Sequence, residues 1–262
     1  MKGKLRLRTK WIALLAVACM VAPAAQALTA AQVWDTVEAN AATISSFQAS
    51  LSSTGTFINT ATSTWEGQAT ATGSLKTKAY SGVPGGLIKR LQSSSSTNMN
   101  NDTYRGTDGV TYIEFTSSSE VKKRDTALAG LDETPDLANA TYVGTGTIDG
   151  TAVHIIDAAY GSSNTALTSA RFYIDTTKGV ILKRENFNGT TLAELYTVDP
   201  DDVTQIGSTY LATKSTRTRC NGLDGYTTTL EDTLTSITVN GTIDNSEFNY
   251  TVPSGFAVQD LD

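Results

Sequence analysis

Residues Ser169–Val198 read SARFYIDTTKGVILKRENFNGTTLAELYTV. Phe172 and Ile174 alternate with polar neighbours, and Val180 and Leu182 resume the apolar signal after Thr176–Gly179. A second break falls at Asn188-Gly189, ahead of Thr191–Thr197. Period-two alternation interrupted by short glycine turns predicts three consecutive antiparallel strands.

The same signal extends outward in both directions. RGTDGVTYIEF carries an Asp108-Gly109 turn and a strand with Ile113 and Phe115, and TIDGTAVHIID carries a turn at Asp149-Gly150. Upstream, Phe47, Ala49 and Leu51 face one way while Gln48, Ser50 and Ser52 face the other. Downstream, GYTTTLEDTLTSITV reads as a long polar-alternating strand. The closing SEFNYTVPSGFAV reads as a final strand with Phe248, Tyr250 and Val252 on one face. One helix interrupts the pattern. Thr29 and Gln32 have capping-box spacing, Val33, Val37, Ala41 and Ile44 recur at helical spacing with Trp34 beside them, and Asp35 and Glu38 lie early, where the dipole favours acid. Ser45-Ser46 ends it. ALAGLDETPDLANA is expected to hold a short helix near Pro135, and SLKTKAYSGVPGGLIKRLQSSSSTNMNND reads as loop and strand. The expectation is one α+β domain over residues 28–262: a long, strongly curved antiparallel sheet with one main helix packed on it, wet on one face and covered on the other.

Residues 1–27 are set apart from that domain. Five bases, Lys2, Lys4, Arg6, Arg8 and Lys10, precede the apolar run Trp11–Val21, and Ala25-Gln26-Ala27 is an A-x-A site. This is the pattern of a secretory signal peptide cleaved after Ala27, too short to span a membrane. The competing reading makes Cys19 a lipidated cysteine at the end of LAVAC. The full chain has 20 Lys+Arg and 26 Asp+Glu; loss of the five leading bases leaves 15 against 26, a net charge of −11. Such a surface repels phosphate backbones and anionic headgroups, which argues against nucleic-acid binding and peripheral membrane binding. Cys220 is then the one remaining cysteine, read as a small buried side chain, so the core is expected to manage without a disulfide.

No residue set for catalysis emerges. His154 is the one histidine and reads as a packed strand residue. Asp199, Asp201 and Asp202 lack the spacing of a calcium loop and read as a solvated loop. There is no G-x-S-x-G elbow, phosphate loop or dinucleotide fingerprint. Neither enzymatic activity nor a metal or cofactor is expected. The N-x-T triplets at Asn101, Asn139, Asn188, Asn240 and Asn249 are what a threonine-rich chain yields by chance.

Four stretches, in order, resemble periplasmic outer-membrane lipoprotein carriers of the LolA-like lipoprotein-sorting superfamily. AAQVWDTVEANAATISSFQASL resembles the opening helix and first strand, WEGQATATGSLKTK the next strand, and TDGVTYIEF an Asp-Gly turn with an aromatic strand. ITVNGTIDNSEFNYTVPSGFAV is similar to the ending, with Asn240, Ile243, Phe248, Pro253 and Gly255 in matching places, and ARFYIDTTKGVILKRENFNG to the central hairpin of the broader family. The resemblance implies a half-open β-barrel closed by helices, whose apolar interior takes acyl chains. Carried over by position, that interior comprises Trp34 and Val37 from the helix, Phe47, Ala49 and Leu51 from the first strand, and Trp65, Ile113, Phe115, Phe172, Ile174, Val180, Leu182, Phe248 and Tyr250. It also implies a periplasmic monomer working between an inner-membrane releasing complex and an outer-membrane acceptor. The chain departs from the carriers in two respects. Lys76 and Lys78 stand where the carriers place an arginine, and residues 117–150 and 200–235 are longer. Burial of an acyl chain at about 0.8 kcal/mol per CH₂ is enough to hold a lipid in such a protein. The alternative is a non-enzymatic envelope sensor or scaffold of the same fold with a filled core.

Overall fold

Alternating side chains with one apolar face leave each strand half covered, and the chain resolves this by pairing nearly all its strands into one sheet. In the computed structural model, residues 28–59, 62, 65–81, 83, 86–94, 102–124, 135–161, 167–220 and 226–261 are described. The signal-peptide residues, with Ala27 and Cys19, lie outside them.

Helix α1 (Ala30–Ala42) is followed by β1 (Ser46–Asn59), β2 (Trp65–Lys78), β3 (Leu87–Ser94), β4 (Asp102–Arg105), β5 (Thr111–Phe115) and β6 (Glu120–Arg124). The second half holds β7 (Thr141–Ile148), β8 (Thr151–Ala159), β9 (Ser169–Asp175), β10 (Ile181–Asn188) and β11 (Thr191–Thr197). A hairpin of β12 (Val203–Ile206) and β13 (Thr209–Ala212), then β14 (Lys214–Arg219), β15 (Tyr226–Val239) and β16 (Ala257–Asp260), complete it. Apart from that hairpin, the strands form one 14-stranded sheet in the order β16-β6-β5-β4-β3-β2-β1-β15-β14-β11-β10-β9-β8-β7. The edges are β16 and β7, so the sheet is open. All pairs are antiparallel except β16 with β6, which is parallel. The two predicted turns of the 169–198 meander are present, with Gly179 and Gly189 both at φ 61. Asp149 (φ 46) and Gly150 (φ 83) make the tight turn joining β7 to β8, the geometry that two-residue hairpin loops require.

The sheet curls strongly, and one ion pair demonstrates it. Arg90 on β3 and Asp232 on β15 are three strand intervals apart, roughly 14 Å on a flat sheet at the usual spacing. Their side chains nonetheless meet at 3.5 Å. The face bearing them is therefore concave. Register carries that face across the molecule: Asp232 opposes Ser53, which opposes Ala71, and Leu230 opposes Arg217, Tyr196, Arg184, Phe172 and Ile156 in turn.

Three expectations are corrected here. The closing segment is not a strand at Phe248–Val252. Asp244 accepts a hydrogen bond from the Ser246 amide at 2.8 Å, Asn245–Phe248 makes a 3-10 turn, and the strand begins only at Ala257, beyond Pro253 and Gly255 (φ 85). The described part of the 127–140 segment, 135–140, is turn rather than helix. Within α1, no acid stands in the first turn, and Ala41 is exposed, so the buried stripe rests on Ala30 and Val33.

Candidate functional site

The site is built from α1 outward. Thr29 closes the predicted capping box: its hydroxyl accepts from the Gln32 amide at 3.2 Å, and its own amide donates to the Gln32 side chain at 2.9 Å. That start directs Ala30 (4% exposed) and Val33 (1%) onto Ile156, Ala158, Ala170, Phe172 and Ile174 of the concave face. Trp34 meets Phe172 edge-on at 5.3 Å between ring centres, and its indole N–H donates to Glu38 at 3.0 Å. Val37 packs against the same cluster. The β9–β10 turn comes so close to the helix that a Cβ on Gly179 would lie 2.3 Å from the Thr36 carbonyl oxygen. Further along, Asn40 clamps β13, its amide donating to the Tyr210 carbonyl at 2.8 Å while its oxygen accepts from the Tyr210 N–H at 2.9 Å. Thr43 bonds Thr209. Asn240, at φ 59, then ties the exit of the helix. Its oxygen accepts from the Ser45 amide (2.7 Å) and hydroxyl (2.9 Å), and its nitrogen donates to the Thr43 carbonyl (2.8 Å).

The predicted lining residues separate by face. Phe47, Ala49 and Leu51 are buried on the concave side, as are Phe172 and Ile174. Ile113 and Phe115 share that face by register, half-buried near the β5–β6 end, where the Lys122 ammonium sits 5.1 Å from the Phe115 ring centre. Trp65 opens β2, and its side chain lies outside the described set. Four residues fall elsewhere. Val180 and Leu182 pack with Val153 and Val198 in a cluster on the convex side. Phe248 is fully buried against Val83, Leu87 and Ile243, also convex. Tyr250 stacks on Tyr104 and Tyr112, with ring centres 4.5 and 4.8 Å away, and donates to Glu114 at 2.8 Å. The apolar residues thus form several clusters rather than one lining. For Phe248 and Tyr250 the reason is the 245–248 turn, which carries the closing segment behind β2–β4 instead of onto the concave face, and for Leu182 it is the register shift between Ile181 and Lys183. Lys76 and Lys78 fasten it there: Lys76 pairs with Glu247, and Lys78 donates to the Ile243 carbonyl and the Asn245 side chain, both at 2.7 Å.

Two open depressions lie among the described residues. One, of about 320 Å³, is lined by Leu182, Lys183, Val198, Asp199, Lys214 and Glu231 among others. The other, of about 520 Å³, lies at the far ends of β8 and β9 around Asp157, Ala159, Arg171 and Phe187. Arg171 and Asp157 form a two-pronged ion pair there, both bonds 2.7 Å, which raises the Arg171 pKa. Leu182 is the one predicted lining residue that borders either. The described residues include no group of three or more His, Cys, Asp or Glu able to hold a metal, and no described helix is long and apolar enough to cross a membrane.

The concave face also holds polar residues absent from the predicted lining: Arg90, Gln92, Arg184, Tyr196, Glu194 and Asp232. The signal for them lies in the dipeptides Lys89-Arg90 and Lys183-Arg184. Adjacent strand residues face opposite ways, so only one of each pair can point inward.

No protein-family model matches the sequence, and no curated protein sequence matches it. In fold, the chain is similar to a domain from Vibrio parahaemolyticus described as an outer membrane lipoprotein-sorting protein domain, with TM-score 0.58 and 13% identity over 84% of this chain and 97% of that one. A DUF1329 family protein from Desulfovibrio piger gives TM-score 0.59 and 12% identity, over 84% and 97%. A LolA superfamily protein from Nitrosomonas europaea gives 0.56 and 10%, over 86% and 99%. At these identities the likeness is one of architecture: the chain shares the fold of LolA-superfamily and lipoprotein-sorting domains over most of its length.

Proposed function

We propose that this protein is a periplasmic carrier that takes the acyl chains of lipoproteins or other lipids against the concave face of its half-open sheet, beneath and beside α1. The observation that supports this reading is the helix clamped over an apolar strand face. Trp34 and Val37 of α1 pack against the cluster of Phe172 and Ile174 beneath it, and Phe47, Ala49 and Leu51 on β1 are buried on the same face of the sheet. The fold it shares with lipoprotein-sorting domains points the same way. In this reading the residues take part as apolar surface, no covalent step is involved, and the partners are a membrane releasing complex and an acceptor. Acyl burial at about 0.8 kcal/mol per CH₂ supplies the affinity, and α1 moves aside to admit the chain.

A second reading has its own support. Phe172 is 2% exposed and Leu51 5%, the values of a filled core. A sensor or scaffold of envelope proteins would need no more than that. Native mass spectrometry of protein prepared from its own cell envelope separates the two. The carrier reading predicts a co-purifying lipid that is lost on solvent extraction; a lipid-free mass in every preparation favours the scaffold.

A further inference from the structure

Resting on the carrier reading, we propose that the trough also holds an anion-binding site, built on Arg184 and Arg217, and that its ligand is an anionic amphiphile with a phosphate, sulfate or carboxylate head.

The first observation is how the basic residues are sorted. Beyond residue 27 the sequence has seven arginines. Register places six of them, Arg90, Arg105, Arg124, Arg184, Arg217 and Arg219, on the concave face. The seventh, Arg171, is on the convex face and committed to Asp157. The strand lysines do the reverse: Lys76, Lys78, Lys89, Lys123, Lys183 and Lys214 point to the convex face, and Lys122 alone points inward. Solubility does not require this sorting, since either residue serves at a wet surface. A planar guanidinium, weakly hydrated and forked, suits a partly enclosed site that grips oxyanions; an ammonium suits open solvent.

The second observation is an imbalance of charge. Among the described side chains, the strand acids on the concave face are Glu120, Glu194 and Asp232. Asp232 is taken by Arg90 and the Ser53 hydroxyl, and Glu194 by Arg219 and the Asn186 amide. Among the described residues neither Arg184 nor Arg217 pairs with an acid, although the chain as a whole carries a net charge of −6. The Arg184 Nε is buried without a hydrogen-bond partner. A buried donor left unsatisfied is costly, and an arriving oxyanion would relieve that cost.

The third observation is position. Arg184, Tyr196 and Arg217 are direct cross-strand neighbours in one row, with Phe172 and Ile156 beyond Arg184 and with Leu230, Gly55 and Ala69 beyond Arg217. The row therefore runs apolar, cation, phenol, cation, apolar. Leu230 belongs to a cluster with Phe57, Ala69 and Ala71, and Phe172 to the cluster under α1. Gly55, Ala69 and Ala71 are small and buried there, with Phe57 and Leu230 packed against the two alanines. A head held between the two guanidinium groups, with the Tyr196 hydroxyl able to donate, leaves its chain running over either apolar patch. Burial keeps the Tyr196 phenol protonated beyond its usual range.

The test is calorimetric titration of the purified protein with submicellar dodecyl phosphate, submicellar dodecyl maltoside and inorganic phosphate. The expected result is dodecyl phosphate bound roughly tenfold or more tightly than the maltoside, with inorganic phosphate weak. Arg184→Gln with Arg217→Gln should erase that preference and leave maltoside binding unchanged. Lys183→Gln, next to Arg184 but on the convex face, should change neither. If the double variant fails to fold, Arg217→Gln alone, at an exposed position, should remove part of the preference. Equal binding of both detergents overturns the anion site and leaves the carrier reading standing. Inorganic phosphate binding as tightly as dodecyl phosphate overturns the amphiphile in favour of a free anion. No binding of either detergent overturns the carrier reading along with the site.

Discussion

Asn240 shows how much one side chain carries where the chain leaves α1 and enters the sheet. Its left-handed backbone is one that asparagine tolerates better than most residues, and its amide makes three hydrogen bonds to Thr43 and Ser45. Asn240→Ala should cost about 1–2 kcal/mol of stability, and Asn240→Gly, which keeps the backbone freedom, should recover only part of it. Urea titration of the three proteins checks this; equal midpoints for wild type and alanine would mean the fastening contributes nothing. The tyrosine stack on the convex face makes a second prediction at this scale. Burial first, then the Asp102 and Glu114 charges, raise the Tyr104 pKa from 10.0 to about 12, and burial with the bond to Glu114 raises Tyr250 as well. A raised folded-state pKa contributes stability that is complete below pH 10.0 and is lost as pH climbs toward 12. Ultraviolet titration should therefore show late-ionising tyrosines whose ionisation coincides with unfolding. Tyr250→Phe should soften that alkaline transition, and a single unshifted tyrosine titration would contradict the assignment.

Among the elements, α1 is held by fastenings at its ends and middle more than by a deep apolar seam. Gly179 is the tightest of these: φ is +61, and a Cβ would clash with the Thr36 backbone. Gly179→Ala should destabilise by about 2 kcal/mol or more and loosen the helix, which amide exchange over residues 30–42 would report against an unchanged β1–β2. The elements legible in the sequence are those whose signals are local. Thr29 and Gln32 mark the helix start, Asp149-Gly150 and Asn188-Gly189 mark hairpins, and β1 and β15 show clean alternation. The closing segment misleads because Phe248, Tyr250 and Val252 alternate like a strand, while Asp244 capping a 3-10 turn decides the matter. The parallel pairing of β16 with β6 depends on residues more than a hundred positions apart and has no local mark. The site was legible to the extent that apolar residues on β1 and β9 define it. Its arginines were not, because alternation shows that neighbours part company but not which of them faces inward; only the curl revealed by Arg90 and Asp232 assigns the sides.

For the whole molecule, the open sheet, its curl and the covering helix give a concave face on which Arg184 and Arg217 lie in one row between two apolar clusters, on a fold shared with lipoprotein-sorting domains. The central claim is that the concave face receives an acyl chain. It is tested most directly by binding of a fluorescent fatty-acyl probe to wild type, Leu51→Asp and Phe172→Asp, with the folded fraction followed by circular dichroism in the same samples. An unpaired carboxylate in an apolar site costs several kcal/mol unless water reaches it. A trough that opens to admit a lipid also admits water. The account predicts probe binding by wild type, a fall of roughly tenfold or more in both variants, and folded variants. Absence of probe binding by wild type, with both variants simply unfolded, would contradict it and identify the concave face as an ordinary filled core.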